Sequence, residues 1–215
     1  MRKMQFYEKF RHLYPEGWEF IPSNRDFKIK YGRINDSPYQ VKPFGGRLQC
    51  PVCDRHKSMF QRCHGGSDPT YGDCEVDPVW LKHSQFAKWF LPELDKFEIG
   101  SKLYLDKDIF GNGLKLYSPG TTCLITNEIN TFIRFRENSG VRQVKTGYLV
   151  QCCRQGFTSR HVGTFKTREE ATEVWIKTKC AEIKNINFPD HWSVSKVKQA
   201  KTGIRKLIRS CHEQN

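Results

Sequence analysis

The chain has 215 residues, with 36 Lys and Arg against 23 Asp and Glu and a formal net charge of +13, so it is strongly basic and long enough for two small domains. No apolar run approaches the roughly 18 residues of a membrane span, and the N-terminal MRKMQFYEKF carries no signal-peptide core. These features exclude a membrane partner and lead us to expect a soluble, cytoplasmic protein.

Residues 1–49 are rich in aromatics and turn formers, with Tyr14-Pro15-Glu16-Gly17 and Pro43-Phe44-Gly45-Gly46. They read as an irregular segment with a short helix over Gln5–Leu13 and some strand near Phe27–Arg33. Residues 50–136 read as a mixed domain. The pattern predicts a helix over Asp54–Arg62, and Asp77-Pro78 is a second helix start, Asp as N-cap and Pro at the first helical position. Trp80, Leu81, Phe86, Trp89, Phe90 and Leu91 supply bulky core. A strand over Lys102–Asp106, a glycine loop at Gly111-Asn112-Gly113, strands Leu114–Tyr117 and Cys123–Thr126 and a helix Asn127–Phe135 follow. Glu137-Asn138-Ser139-Gly140 then marks a boundary. The charge changes there too: 17 basic and 7 acidic residues from Arg134 onward leave a net +10, and +3 for everything before. Such asymmetry suggests a polyanion-binding half joined to a nearly neutral one.

Within residues 140–186, Gly140–Lys145, Tyr148–Arg154 and Arg160–Phe165 are strand-like runs separated by Thr146-Gly147 and Gln155-Gly156. Thr167 with Glu170 three residues on is a capping box, and Ala171, Val174, Trp175 and Thr178 recur at helical spacing. One helix therefore covers one face of a three-stranded antiparallel sheet, leaving Arg, Lys, Gln and His on the other. A β-ribbon of this kind fits a DNA major groove. Phe188-Pro189-Asp190 breaks the chain, and Ser193 caps a last, basic helix within 190–215. It sets Val194, Val197, Ile204, Leu207 and Ile208 on one side and Lys196, Lys198, Lys201, Arg205, Lys206 and Arg209 on the rest. Such a helix packs on the protein while its basic face tracks phosphates; an ordinary amphipathic surface helix explains the same pattern.

GVRQ, then GY, then VGTFKTREEA, in this order, resembles the DNA-binding domain of plant ethylene-response (APETALA-type) factors, a module also carried by phage and mobile-element endonucleases. The resemblance spans residues 140–184 and implies that Arg142, Gln151 and His161 face DNA, with Lys145, Arg154 and Arg160 near phosphates. The aromatic and Arg base-readers of the plant proteins are absent, so the target sequence should differ.

Residues 50–135 carry a second resemblance. Met59-Phe60-Gln61-Arg62-Cys63, Thr70-Tyr71-Gly72-Asp73-Cys74-Glu75-Val76, Leu105-Asp106-Lys107-Asp108, Gly111-Asn112 and Tyr117-Ser118-Pro119, in that order, are similar to phage HNH-like homing endonucleases. This implies a ββα-metal finger: a hairpin and helix holding one divalent cation such as Mg2+. An HNH nuclease needs a His to deprotonate water and an Asn to orient it. Here Lys107 stands where the His is expected and Thr122 where the Asn is, and none of the seven histidines falls inside the hairpin. A Lys acts as base only if burial away from Asp106 and Asp108 lowers its pKa by several units. Asp106 and Asp108 remain candidate cation ligands, or ordinary turn acids; His56, His64 and His83 are the histidines that folding would have to bring near.

Nine cysteines without a secretion signal argue for reduced thiols. Cys50-Pro51-Val52-Cys53 has zinc-knuckle spacing, and Cys63, His64 and Cys74 would complete a structural zinc site; buried thiols are the other reading. The fold class expected is α+β, a degenerate ββα-metal (HNH-like) domain followed by the sheet–helix module and the basic helix. The function expected is sequence-specific binding of double-stranded DNA by a domesticated homing endonuclease acting as a transcription repressor, as a homodimer on paired half-sites. The phage resemblance places it at the nucleoid of an infected bacterial cell. An active, cation-dependent endonuclease is the alternative, and an inhibitor acting through protein contacts alone is a third reading that leaves the basic module unexplained.

Overall fold

Short polar side chains take up the orphan N–H groups at several helix starts, and that local chemistry fixes much of the secondary structure. The computed structural model describes residues 28–30, 33–36, 50–66, 69–98, 100–135, 140–153 and 159–212; the helix expected over Gln5–Leu13 lies outside them. In chain order the elements are β1 (Lys28–Lys30), β2 (Arg33–Asn35), α1 (Pro51–His64), β3 (Glu75–Val76), α2 (His83–Leu94), β4 (Leu103–Asp106), α3 (Asp108–Gly111), β5 (Leu116–Tyr117) and β6 (Cys123–Thr126). Then come α4 (Asn127–Ile133), β7 (Val141–Val144), β8 (Gly147–Cys153), β9 (Ser159–Phe165), α5 (Arg168–Glu182) and α6 (Val194–Ser210). They form two units, Met1–Ser101 with Leu114–Thr122, and Lys102–Gly113 with Cys123–Asn215.

In the first unit α1 begins earlier than Asp54, because Cys50 caps it: its Sγ accepts the Cys53 N–H at 3.5 Å and Pro51 fills the first helical position. Asp77-Pro78 starts only a single 3-10 turn, Pro78–Trp80, with the Asp77 carboxylate accepting from Val79 N–H at 2.9 Å. The longer helix α2 starts later, capped from a distance by Asp36, whose carboxylate accepts from the Ser84 N–H at 2.8 Å and its hydroxyl at 2.6 Å. Burial works to raise the Asp36 pKa, but these bonds outweigh it and hold the carboxyl below its ordinary value. Between the helices lie Met59, Phe60, Trp80, Phe86 and Phe90, all buried. The ring of His56 stacks on Phe86 at 5.1 Å. The strand expected over Leu114–Tyr117 is shortened to β5 and pairs in parallel with β3, Val76 opposite Tyr117.

The second unit is built on two antiparallel sheets. β4 pairs with β6 from Leu103↔Thr126 to Asp106↔Cys123, and α4 follows directly, capped by the Thr126 hydroxyl. β7, β8 and β9 form the three-stranded sheet, and α5, capped by Thr167, packs against it. α6 is capped by Ser193, whose Oγ accepts from Lys196 N–H at 3.2 Å, and packs on α3, α4 and α5. One core joins them, with Ile125, Ile129, Val150, Trp175, Ile204 and Ile208 among its members. Each fully buried aliphatic side chain there stabilises the fold by about 1.5–3 kcal/mol.

Two glycines permit the closest approaches. Gly140 sits at φ +77°, and a Cβ on it would stand 1.9 Å from Trp175 Nε1, so only glycine lets the indole lie under β7. A Cβ on Gly203 would stand 1.9 Å from the Ile109 carbonyl oxygen, so α6 meets α3 backbone to backbone. The architecture is thus mixed α+β with a three-stranded antiparallel sheet, as the sequence leads one to expect. Among the described residues no helix is long and apolar enough to cross a membrane.

Candidate nucleic-acid interface

The register of the three-stranded sheet sorts its side chains. Val141, Val150 and Cys152 are buried on the side that α5 covers. Arg142 pairs with Leu149, and Leu149 with Thr164, while Gln151 pairs with His161. Directly paired residues share a side, as do residues two apart on one strand. Arg142, Gln151 and His161 therefore stand together on the outer side, and all three are exposed.

A bulge is what brings His161 there. The pairing shifts between Val150 and Gln151, so that Val150 faces Gly163 but Gln151 faces His161. Val162 is the extra residue and packs on the core. In an unbulged ladder His161 would oppose Cys152 and turn inward, because a one-residue slip inverts every side chain beyond it. Arg160 instead opposes buried Cys152, on the other side at the strand end, although it is itself exposed. Lys145 is exposed in the β7–β8 turn, and Arg154 lies outside the described residues. Leu149 and Thr164 belong to the outer side as well; strand alternation signals them, but they are not basic and drew no notice.

On α6 the expected division into an apolar and a basic side is only partly met. Ala200, Ile204 and Ile208 are buried, whereas Val194 is 88% exposed because the first helical residue overhangs the core. Lys196 is half-buried, its Nζ 4.8 Å from the Trp192 ring centre and 5.7 Å from that of Phe110; Lys201 lies 5.8 Å from Phe188. These two cations are engaged with rings. Lys206 donates to Asn112 Oδ1, which leaves Lys198, Arg205 and Arg209 as the exposed cations of the helix without such a contact among the described residues.

The hairpin acids have local employment. Asp106 is buried, and its Oδ1 accepts from the N–H groups of Asp108 at 3.0 Å and Ile109 at 2.8 Å, capping the short helix α3. Burial raises its pKa to about 6, with Asp108 adding to the rise. Lys107 is buried too, and its Nζ donates to Asp108 Oδ1 at 2.6 Å rather than standing away from the two acids. Thr122 is buried, its Oγ1 accepting from Ser118 N–H at 3.1 Å within its own turn. One carboxylate thus caps backbone through its Oδ1 and the other is paired with Lys107 through its Oδ1.

His56 and His83 are enclosed in the aromatic core of the first unit, 0% and 1% exposed. Burial lowers their pKa values to about 3 and about 4. His56 Nε2 donates to the Trp80 carbonyl at 2.6 Å, and Nδ1 faces Arg33 Nη1 at 3.5 Å. His64 is exposed at the end of α1. The four cysteines of the expected zinc site are all buried, but Cys53 and Cys63 lie ten residues apart on one helix, about 15 Å along its axis. They cannot ligate one ion, so Cys50, Cys53, Cys63 and Cys74 do not fit a single tetrahedral site. Among the described residues no group of three or more His, Cys, Asp and Glu stands ready to hold a metal.

Sequence reasoning missed Lys179 altogether. It is 4% exposed on the buried side of α5, its Nζ 3.7 Å from the Phe132 ring centre. The i, i+4, i+8 spacing from Ala171 and Trp175 was a signal for it. Compared with protein-family models, with curated proteins and with solved structures, the chain matches none.

Proposed function

We propose that the chain is a double-stranded-DNA-binding protein that reads sequence with the outer side of the β7–β8–β9 sheet and acts by occupancy. The observation that carries this reading is the grouping of Arg142, Gln151 and His161 on one exposed side of a sheet whose other side is packed on α5. A strand ribbon fits the major groove, where Arg pairs bidentately with guanine and Gln with adenine, each worth about 1–3 kcal/mol of discrimination. The net +10 from Arg134 onward supplies the sequence-independent attraction to phosphate. Its resemblance to endonucleases of phages and mobile elements suggests a homing endonuclease turned repressor.

Occupancy without cleavage is favoured by the chemistry of the hairpin. Lys107 is held to Asp108, and Asp106 is buried with its Oδ1 taken up by two backbone N–H groups, so the position where the HNH resemblance expects a histidine base is filled by an ion-paired lysine. The strand–strand–helix order of β4, β6 and α4 is what an endonuclease reading would build on. Incubating the protein with a random double-stranded DNA library in magnesium or manganese separates the two. The proposal expects retarded, uncut fragments enriched in one sequence, whose stoichiometry also reports whether two copies occupy paired half-sites. Cleavage abolished by Asp106→Ala while binding persists would replace it with the endonuclease.

A further inference from the structure

β8 is the middle strand of its sheet, so an outward side chain on it has a neighbouring strand on each side. Leu149 pairs with Arg142 of β7 and with Thr164 of β9, and its chain neighbours Tyr148 and Val150 pack on the core side. Alternation therefore turns Leu149 outward. It is half-buried between Arg142 and Thr164, both exposed, while Gln151 and His161 form the next pair on the same side. Val144, two residues beyond Arg142, shares that side but stands at the turn, opposite Gly147. An aliphatic side chain thus occupies the middle of a face whose members around it carry hydrogen-bonding groups.

Strands lie about 4.8 Å apart, so three of them span about 10 Å, close to the major groove's width of about 12 Å. With the strands running along the groove, β8 lies over its floor. β7 and β9 then lie along its sides, from which a long arginine still reaches base edges. The floor presents hydrogen-bonding atoms at every base pair but a single kind of apolar group, the C5-methyl of thymine. Leucine set against an amino or carbonyl group strips its water and returns no hydrogen bond. Set against the methyl, it buries apolar surface on both partners.

We infer that Leu149 reads the C5-methyl of a thymine and so fixes one further position of the recognised sequence. The inference rests on the sheet reading above and names one base that this face selects. Arg142 stands level with Leu149, and Gln151 lies about 7 Å along β8, or about two base-pair rises. The thymine therefore lies within about two base pairs of the base that Arg142 contacts.

In the test, full-length wild-type protein first selects a sequence from random double-stranded DNA. Each thymine of that sequence is then replaced singly by deoxyuridine, which removes the methyl and leaves every hydrogen-bonding group in place. One replacement, within about two base pairs of the position whose preference Arg142→Ala relaxes, should weaken binding about 4-fold, the worth of one buried methyl group. Leu149→Ala should bind the thymine and deoxyuridine forms of that site equally. Leu149→Gln, which keeps the length of the side chain, should do the same and guards against a folding defect. Leu149→Met, apolar and similar in volume, should keep the preference. A change in duplex stiffness on losing the methyl would persist in all three variants, which separates it from contact. Selected sites without a thymine there, deoxyuridine tolerated at every position, or a preference that survives Leu149→Ala and Leu149→Gln overturns this inference. The sheet reading then stands as long as Arg142→Ala still relaxes the sequence preference. A wild-type protein that selects no sequence overturns both.

Discussion

Gly203→Ala tests the packing that seats the basic helix. The new Cβ would lie 1.9 Å from the Ile109 carbonyl oxygen, 2.9 Å from its carbon and 3.4 Å from its Cα, all backbone atoms with no rotamer to yield. Reaching ordinary contact near 3.4 Å requires α6 and α3 to part by about 1.5 Å. That separation opens the seam where Ala200, Ile204 and Ile208 enter the core, and it strains the Lys206–Asn112 hydrogen bond. Overpacking costs about 1–3 kcal/mol, and a clash with backbone that has no rotamer to yield falls at the upper end, about 2–3 kcal/mol. Against it, Ala gains about 1 kcal/mol over Gly in helix propensity. We therefore expect a net loss of about 1–2 kcal/mol in urea unfolding followed by far-ultraviolet circular dichroism. The exposed neighbour Thr202→Ala, which has the same helix context and no such contact, should be neutral or slightly stabilising. A Gly203→Ala protein as stable as the wild type would refute the backbone-to-backbone approach of these helices.

Gly140→Ala should be worse, since it combines φ +77° with a Cβ 1.9 Å from Trp175 Nε1; a loss of at least about 2 kcal/mol and a change in tryptophan fluorescence are expected. His56 and His83 have folded pKa values depressed to about 3 and about 4, so their contribution is present above the unfolded value of 6.5 and lost as pH falls towards the folded ones. Between about pH 6 and pH 4 the first unit should lose up to about 2.7 kcal/mol per pH unit, and replacing His56 by Gln should flatten that dependence in acid titrations. Asp106 behaves oppositely in sign: its folded pKa is raised to about 6, so its stabilisation is full below the unfolded value of 3.8 and lost as pH rises through 6. Asp106→Asn, which keeps an acceptor for the α3 amides, should be at least as stable as wild type at pH 7 and lose the advantage below pH 4. A drop at pH 7 would show that the charge itself is needed.

Local signals were the legible ones. Thr167 and Ser193 cap their helices as their position before an acidic or apolar run suggests, because capping needs only a side-chain oxygen and an N–H three residues on. The resemblance assigned Arg142 and Gln151 to the outer side, and the alternation of β7 and β8 accounts for their standing there. His161 was assigned to the same side by resemblance; its actual means of getting there, the bulge at Val162, leaves no mark in hydrophobic period. Non-local pairings were the illegible ones. β3 and β5 are two residues each and about forty apart, too short for any periodicity to announce their parallel pairing. Asp36 capping α2 spans a gap of 48 residues, so Asp77-Pro78 looked like the helix start in its place. Buried polar groups were hard to place as well: His56 and Lys107 stood out only as candidates for the hairpin's chemistry and Lys179 not at all, because only the packed fold supplies Phe86, Asp108 and Phe132 as their neighbours.

The sheet is the centre of the functional account, and Arg142 is its most direct probe. The sequence selected from random double-stranded DNA by the wild-type protein should bind Arg142→Ala about 5- to 150-fold more weakly, the equivalent of about 1–3 kcal/mol, while unrelated DNA is affected much less. Because Arg142 is exposed on the outer side, opposite Leu149, the variant should keep the wild-type fold and stability. Equal losses on selected and unrelated DNA would put Arg142 on a phosphate, and unchanged binding to both would contradict the account of the sheet as the reading surface.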